Sequence, residues 1–138
     1  MKRILGIDYG DSRIGLAISD GLMITAQPVK VLHVNNGWKN TVPEIYKIIN
    51  ELEVDRIVIG YPLGMDGIRG QRCEVTDRFI DVLSKGLKDI EIIRWDERYT
   101  TDQAEMILGK EKKSAGRYDI ISAVLILQSY IDFYLKNN

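Results

Sequence analysis

Residues 4–18, with the sequence ILGIDYGDSRIGLAI, contain two apolar runs that are separated by a short polar turn. The first run, residues 4–7, contains no polar side chain, which predicts a strand that is covered on both faces. The turn is rich in Asp, Gly and Ser and leads into a second apolar run at residues 14–18. Asp8 ends the first run, where a carboxylate must be solvated, accept hydrogen bonds from turn amides or bind a cation.

The rest of the chain alternates apolar strands with amphipathic helices. Further strands are predicted at residues 25–32, 54–59 and 90–95, and helices at residues 41–52, 71–83, 101–108 and 119–135. The order predicts one α/β domain over residues 1–138, a five-stranded mixed sheet with helices on both faces. Its first three strands are antiparallel, and helical crossovers make the later strands parallel.

Single residues add local predictions. Pro28 cannot donate a backbone hydrogen bond, so it predicts an edge strand or a bulge. Thr41 and Glu44 have the spacing of a capping box at the start of the first helix, and Gly86 is expected to end the second helix.

The 138 residues carry a net charge of −1, so binding of nucleic acid must depend on local basic patches. The single Cys73 excludes an internal disulfide and suits a reducing compartment. Because no leader pattern and no long apolar run is present, we expect a cytoplasmic protein that does not enter a membrane.

Acidic residues follow the ends of predicted strands or begin a predicted helix. Asp8 follows the first strand, Asp96 and Glu97 follow the fifth, and Asp119 begins the last helix. Ligands collect at the carboxyl ends of the strands in an open α/β sheet, and clustered carboxylates suit Mg²⁺ or Mn²⁺. Two such ions, roughly 3.5–4 Å apart, would activate water and stabilise the leaving oxygen of a phosphodiester.

Each acid also has a purely structural explanation. Asp119 suits the N-cap of a helix, and Asp96 and Glu97 precede a helix whose positive end attracts negative charge. Only one of Asp96 and Glu97 should face the site, because neighbouring strand residues point in opposite directions. Glu97 is preferred, since its side chain is longer.

Four segments together resemble the YqgF/RuvX family, namely GIDYGDSRIGLAISD, VIGYPLGMDG, WDERYTT and YDIISAVLILQSYID. This family comprises small bacterial RNase H-fold proteins related to Holliday-junction resolvases. The resemblance covers nearly the whole chain and implies a nuclease that processes the 5′ end of pre-16S ribosomal RNA. It also implies that Asp8, the acid of the WDER segment and Asp119 bind the metal.

Basic residues near the same edge are candidates for binding substrate phosphates. They are Arg13, Arg69, Arg72, Arg98, Lys110, Lys112, Lys113 and Arg117. The lysines alone are typical of a solvated loop, whereas Arg98 adjoins the candidate acids.

The sequence is compatible with several functions. A metal-dependent RNase leads, and a junction-resolving DNase and an RNA-binding module without strong activity are alternatives. RNA and DNA present the same phosphates, so the sequence does not distinguish them. An actin-like ATPase is excluded by length, because those proteins use two such domains. Both a monomer and a homodimer are compatible with the sequence.

Overall fold

The computed structural model describes residues 2–35, 37–63, 67, 69–97 and 115–137, with the side chains of 115–118 and 135–137 excepted. Five strands and three helices are present in the described residues. They are β1 Arg3–Tyr9, β2 Arg13–Ser19, β3 Ala26–His33, α1 Thr41–Glu51, β4 Val54–Tyr61, α2 Gln71–Ser84, β5 Glu91–Asp96 and α3 Ala115–Asn137. The helix predicted at residues 101–108 lies outside the described residues.

All five strands form one sheet in the order β3-β2-β1-β4-β5. The β1–β2 and β2–β3 pairs are antiparallel, whereas β1–β4 and β4–β5 are parallel. The predicted mixed sheet is therefore confirmed. Strand β1 is its centre, so a residue at the end of β1 has a paired strand on both sides.

Alternation along β1 divides the core into two layers. Leu5 and Ile7 are buried with the apolar residues of α1 and α2, such as Phe79. Ile4 is buried on the opposite face, with Ala123 and other residues of α3. Helices therefore cover both faces of the sheet, as its continuous apolar strands predicted.

Pro28 lies both on an edge strand and beside a bulge, so the prediction for this proline is confirmed. Strand β3 is an edge of the sheet. Lys30 pairs with Leu16 and Pro28 pairs with Ala17, so Val29 is an extra residue at a bulge. The missing N–H of Pro28 therefore lies at an irregular edge, where a regular ladder bond is not required.

The capping-box prediction is wrong. Asn40 occupies the N-cap of α1, and no side chain forms a capping hydrogen bond there. Thr41 is instead buried, and Glu44 forms an ion pair with Lys30 of β3, with Nζ and Oε1 3.1 Å apart. Thr41 and Glu44 therefore take part in packing and in an ion pair with the sheet instead of capping the helix.

Gly86 follows the C-cap of α2 as predicted, but it does not have a left-handed backbone. A Cβ atom at Gly86 would lie 2.4 Å from the hydroxyl oxygen of Tyr46. Glycine is therefore required by the approach of Tyr46, whose hydroxyl donates to the Leu83 carbonyl and accepts from the Gly86 amide.

Helix α3 begins at Ala115, four residues before the predicted start. Asp119 therefore lies inside the helix, which removes its explanation as an N-cap. The polar, lysine-rich segment before residue 119 is typical of a loop, but Ala115 and Arg117 are good helix formers and belong to α3. No helix within the described residues is long and apolar enough to cross a membrane.

Candidate active site

Asp8 lies at the carboxyl end of β1, on the face of the sheet that α3 covers. Ile4 and Gly6 face α3, since a Cβ atom at Gly6 would lie 2.7 Å from the Leu127 Cβ. Successive even-numbered residues share one face of a strand, so Asp8 projects to the same side. The half-buried Asp8 side chain is thus held by the central strand, beneath the start of α3.

Gly15 pairs with Asp8 across β1 and β2 and allows Asp119 to approach. A Cβ atom at Gly15 would lie 2.2 Å from the carbonyl oxygen of Asp119 and 2.7 Å from its carbonyl carbon. Both atoms are backbone atoms, so no side-chain rotation could relieve the clash. Glycine at this position therefore brings the first turns of α3 onto the sheet beside Asp8.

Gly60 has the equivalent position on the other side, in β4. Ile7 pairs with Ile59, so Gly60 is the β4 residue nearest to Asp8. A Cβ atom at Gly60 would lie 2.9 Å from Glu97 Oε2 and 2.6 Å from the Cδ1 of Ile126. Strand β4 supplies no carboxylate here, and Glu97 instead extends across Gly60 from the end of β5.

The two glycines were not identified as site residues from the sequence. A glycine inside an apolar strand often marks a close approach of other groups, and this signal was available at Gly15 and Gly60. It did not indicate which residue approaches. Only the fold shows that carboxylate-bearing residues do so in both cases.

The carboxylates of this cluster influence one another. The pKa of Asp8 is well above its ordinary value, because of burial first, then the charge of Glu97, then that of Asp119, while Arg72 acts to lower it. Burial also raises the pKa of Glu97; Arg72 opposes this shift and Asp96 adds to it. Glu97 is therefore the acid of the WDER segment that acts on Asp8.

Asp119 is held by Arg13, whose Nε donates to Asp119 Oδ2 at 2.8 Å. Within the described part of the chain, no group of three acidic, His or Cys side chains is arranged to hold a metal ion. The ion pair and the mutual repulsion of like charges both favour separated carboxylates when no cation lies among them. The shared metal site of Asp8, Glu97 and Asp119 stays a prediction.

The chemistry of the donors nevertheless fits a divalent cation. Asp8, Glu97 and Asp119 offer hard oxygen ligands of the kind that Mg²⁺ and Mn²⁺ prefer. No hydrogen bond from a described residue contributes to the shifted pKa of Asp8. A cation among these groups would therefore relieve a repulsion that the described residues only partly compensate.

The predicted basic residues have different positions. Arg13 forms an ion pair with Asp119. Arg72 Nη1 lies 2.8 Å from Asp11 Oδ2. The charge of Arg72 also acts to lower the pKa of Asp8 and of Glu97. Arg69 contacts Tyr61 and Asp77 on the opposite side of the sheet. The other predicted basic residues are not described by the structure, namely Arg98, Lys110, Lys112 and Lys113. The side chain of Arg117 is not described either.

The raised pKa of Asp8 predicts that the metal-free protein loses stability as pH rises. The unfolded chain releases the Asp8 proton near pH 3.8, whereas the folded state keeps it to higher pH. The folded state therefore binds more protons in this interval, so stability is greatest below it and falls as pH rises through the raised pKa. Glu97 adds to the effect in the same direction.

Thermal melts in chelator, from about pH 4 to about pH 7, test this dependence with the wild type and Asp8→Asn. The variant should gain stability relative to the wild type as pH rises, because Asn carries no charge. A stability difference that stays constant over this range would contradict the prediction.

Comparison with known proteins assigns the family. Residues 2–133 match the family model described as "RuvX: Holliday junction resolvase". The chain belongs to the RuvX family. A relative from Ruminiclostridium cellulolyticum, named "Putative pre-16S rRNA nuclease", is 48% identical, and the alignment covers 94% of each chain. A relative of the same name from Acetivibrio thermocellus is 46% identical and covers 94% of this chain and 95% of its own.

Solved structures support the fold of this RuvX-family chain. Thermus thermophilus RuvC in complex with a Holliday junction substrate has a TM-score of 0.55 at 15% identity, covering 98% of this chain and 96% of its own. The fowlpox virus Holliday junction resolvase has a TM-score of 0.56 at 14% identity, covering 95% and 99%. The predicted RNase H-like fold and membership of a nuclease family are both confirmed.

Proposed function

We propose that this protein is a metal-dependent nuclease that hydrolyses phosphodiester bonds in RNA, with the 5′ end of pre-16S ribosomal RNA as its substrate. One observation carries the proposal: the fold brings Asp8, Glu97 and Asp119 to one face of the sheet, where their charges interact. Such a cluster destabilises the protein unless a cation binds, which is typical of a functional site.

Asp8, Glu97 and Asp119 would hold Mg²⁺ or Mn²⁺, and Asp96 contributes to the negative potential around Glu97. The bound metal would generate a hydroxide nucleophile and stabilise negative charge on the phosphate oxygens. Asp8 provides a fixed ligand, because the central strand is paired on both sides. Asp119 provides a ligand on the opposing helix, so cation binding would also fasten α3 to the sheet.

Arg13 and Arg72 supply positive charge beside these acids. Their side chains are 36% and 49% exposed, and each forms an ion pair with a carboxylate. When the acids bind a cation, Arg13 can exchange Asp119 for a substrate phosphate, since guanidinium groups bind both anions well. Both arginines would then hold the RNA backbone across the acids.

The choice of RNA rests on the curated relatives, whose name refers to pre-16S rRNA. A Holliday-junction resolvase is the second candidate, because the family description and the two solved neighbours refer to such junctions. Ribosomal RNA processing would place the protein in the cytoplasm. The proposal is compatible with either a monomer or a homodimer.

A cleavage assay with two labelled substrates tests the proposal. Purified protein is incubated with a 16S ribosomal RNA precursor or with a four-way DNA junction, in Mn²⁺ or in chelator. We expect cleavage of the RNA in Mn²⁺ and none in chelator. Cleavage of the junction alone would favour the resolvase, and binding without cleavage of either substrate would favour an RNA-binding module.

A further inference from the structure

A second group of charged residues lies where β4 ends, on the face of the sheet that α2 covers. We call it the Asp77 cluster, and it consists of Tyr61, Arg69, Asp77 and Arg94. Asp77 of α2 accepts from Arg94 Nε at its Oδ1, 2.9 Å away. Its Oδ2 accepts from Arg69 Nη2 and from the Tyr61 hydroxyl, the latter at 2.9 Å. Arg69 Nε also donates to the Tyr61 hydroxyl at 2.9 Å.

The Asp77 cluster has an excess of positive charge. Burial acts to raise the pKa of Asp77, but hydrogen bonds from Arg69, Arg94 and Tyr61 hold it below its ordinary value. Asp77 is therefore ionised at neutral pH and neutralises one of the two guanidinium groups. Its four residues by themselves therefore carry one net positive charge.

Both arginines have donor groups that no described residue occupies. Among the described residues, neither terminal nitrogen of Arg94 nor Nη1 of Arg69 has a hydrogen-bond partner. The two side chains are 43% and 53% exposed, so these N–H groups can contact a ligand. Arg94 also lies over the Tyr61 ring, 5.8 Å from its centroid, which restricts the orientation of the guanidinium.

Fastening α2 to the sheet does not by itself account for this arrangement. One arginine would neutralise Asp77, and exposed ion pairs contribute little stability. Two guanidinium groups held in fixed orientations around one carboxylate instead present a preorganised set of donors. Planar guanidinium groups recognise phosphate well, because they donate two parallel hydrogen bonds.

The Asp77 cluster and the acidic site lie at the same end of the sheet, so one RNA strand can contact both. Tyr61 directly follows Gly60, over which Glu97 extends, and pairs with Asp96 of β5. Arg94 lies on β5, three residues before Glu97. The acids and the cluster therefore flank the same end of β4 and β5, on opposite faces of the sheet.

We propose that Arg69 and Arg94, oriented by Asp77 and Tyr61, bind a backbone phosphate of the RNA strand a few nucleotides from the bond that is cleaved. The inference rests on the proposed function, because it takes RNA as the ligand. It adds a phosphate-binding site that is separate from the acids and from Arg13 and Arg72.

Binding of single-stranded RNA in chelator tests the site without any cleavage. Affinities are measured against salt concentration for a long oligonucleotide and a trinucleotide, with the wild type, Arg94→Gln and Arg94→Lys. Arg94→Gln should weaken binding of the long RNA several-fold and reduce the salt slope by about 0.7, the value for one single-strand phosphate. The trinucleotide should bind equally to all proteins, and Arg94→Lys should recover most of the salt slope.

Lys30→Gln is the matched control, since Lys30 is an exposed, paired cation on the distant edge strand β3. Equal losses in Lys30→Gln and Arg94→Gln, or wild-type binding by Arg94→Gln, would overturn the inference. Thermal melts of each variant confirm that folded proteins are compared. If Arg94→Gln binds RNA like the wild type and the wild type cleaves RNA, only the phosphate-binding site is wrong. If Arg94→Gln binds RNA more weakly but the wild type does not cleave RNA, only the nuclease proposal is wrong.

Discussion

Replacement of Asp8 with Asn should reduce RNA cleavage by several orders of magnitude and leave the fold intact. Asn keeps the shape of the side chain and its ability to form hydrogen bonds, but it lacks the negative charge that a divalent cation requires. The raised pKa of Asp8 shows that its charge is unfavourable in the metal-free protein. The variant should therefore be as stable as the wild type or slightly more stable at neutral pH.

Asp55→Asn is a suitable control, because Asp55 lies at the start of β4, at the opposite end of the sheet from Asp8. Cleavage of the precursor RNA in Mn²⁺ and thermal melting are compared for both variants and the wild type. Asp55→Asn should cleave normally. Wild-type cleavage by Asp8→Asn would show that the metal-nuclease proposal is wrong and would favour an RNA-binding module.

Gly15→Ala should strongly reduce cleavage although it leaves every charged residue in place. The added Cβ would lie 2.2 Å from the Asp119 carbonyl oxygen, so the start of α3 must move away from the sheet. Overpacking of this kind typically costs about 1–3 kcal/mol of stability. Displacement of a catalytic group by about 1 Å can reduce turnover about 100-fold, and we expect a loss of this size.

Gly70→Ala provides the comparison, because no described residue beyond its chain neighbours has an atom within 4 Å of a Cβ added at Gly70. Turnover is measured well below the melting temperature of each variant, so that unfolding does not contribute. Gly70→Ala should retain normal turnover. A folded Gly15→Ala protein with wild-type turnover would show that the position of Asp119 is not important for cleavage.

The sheet could be predicted because its strands are short apolar runs that end in turn residues. Strand β1 is the clearest case, since a buried central strand requires apolar side chains on both faces. The position of Asp8 followed from the end of that run. Alternation along a strand predicted that only one of Asp96 and Glu97 faces the site, and Glu97 was preferred because its side chain is longer. The structure places Glu97 against Gly60.

The remaining features depend on contacts between residues that are distant in the sequence. Arg13 and Asp119 are 106 residues apart, so their ion pair is not visible in any local pattern. The Asp77 cluster likewise joins a strand end, a helix and the edge strand β5. Local rules also failed where packing was stronger, as at Thr41, which is buried although its spacing to Glu44 suggested a helix cap.

We expect Asp8, Glu97 and Asp119 to share a divalent cation. The most direct measurement is the anomalous scattering of Mn²⁺ in crystals of the wild type grown with Mn²⁺ and a short RNA. We predict a peak within about 2.5 Å of carboxylate oxygens from all three residues, with Asp119 released from Arg13. A Mn²⁺ peak that lies away from Asp8, or an Asp119 that stays bound to Arg13 beside bound RNA, would contradict a shared cation.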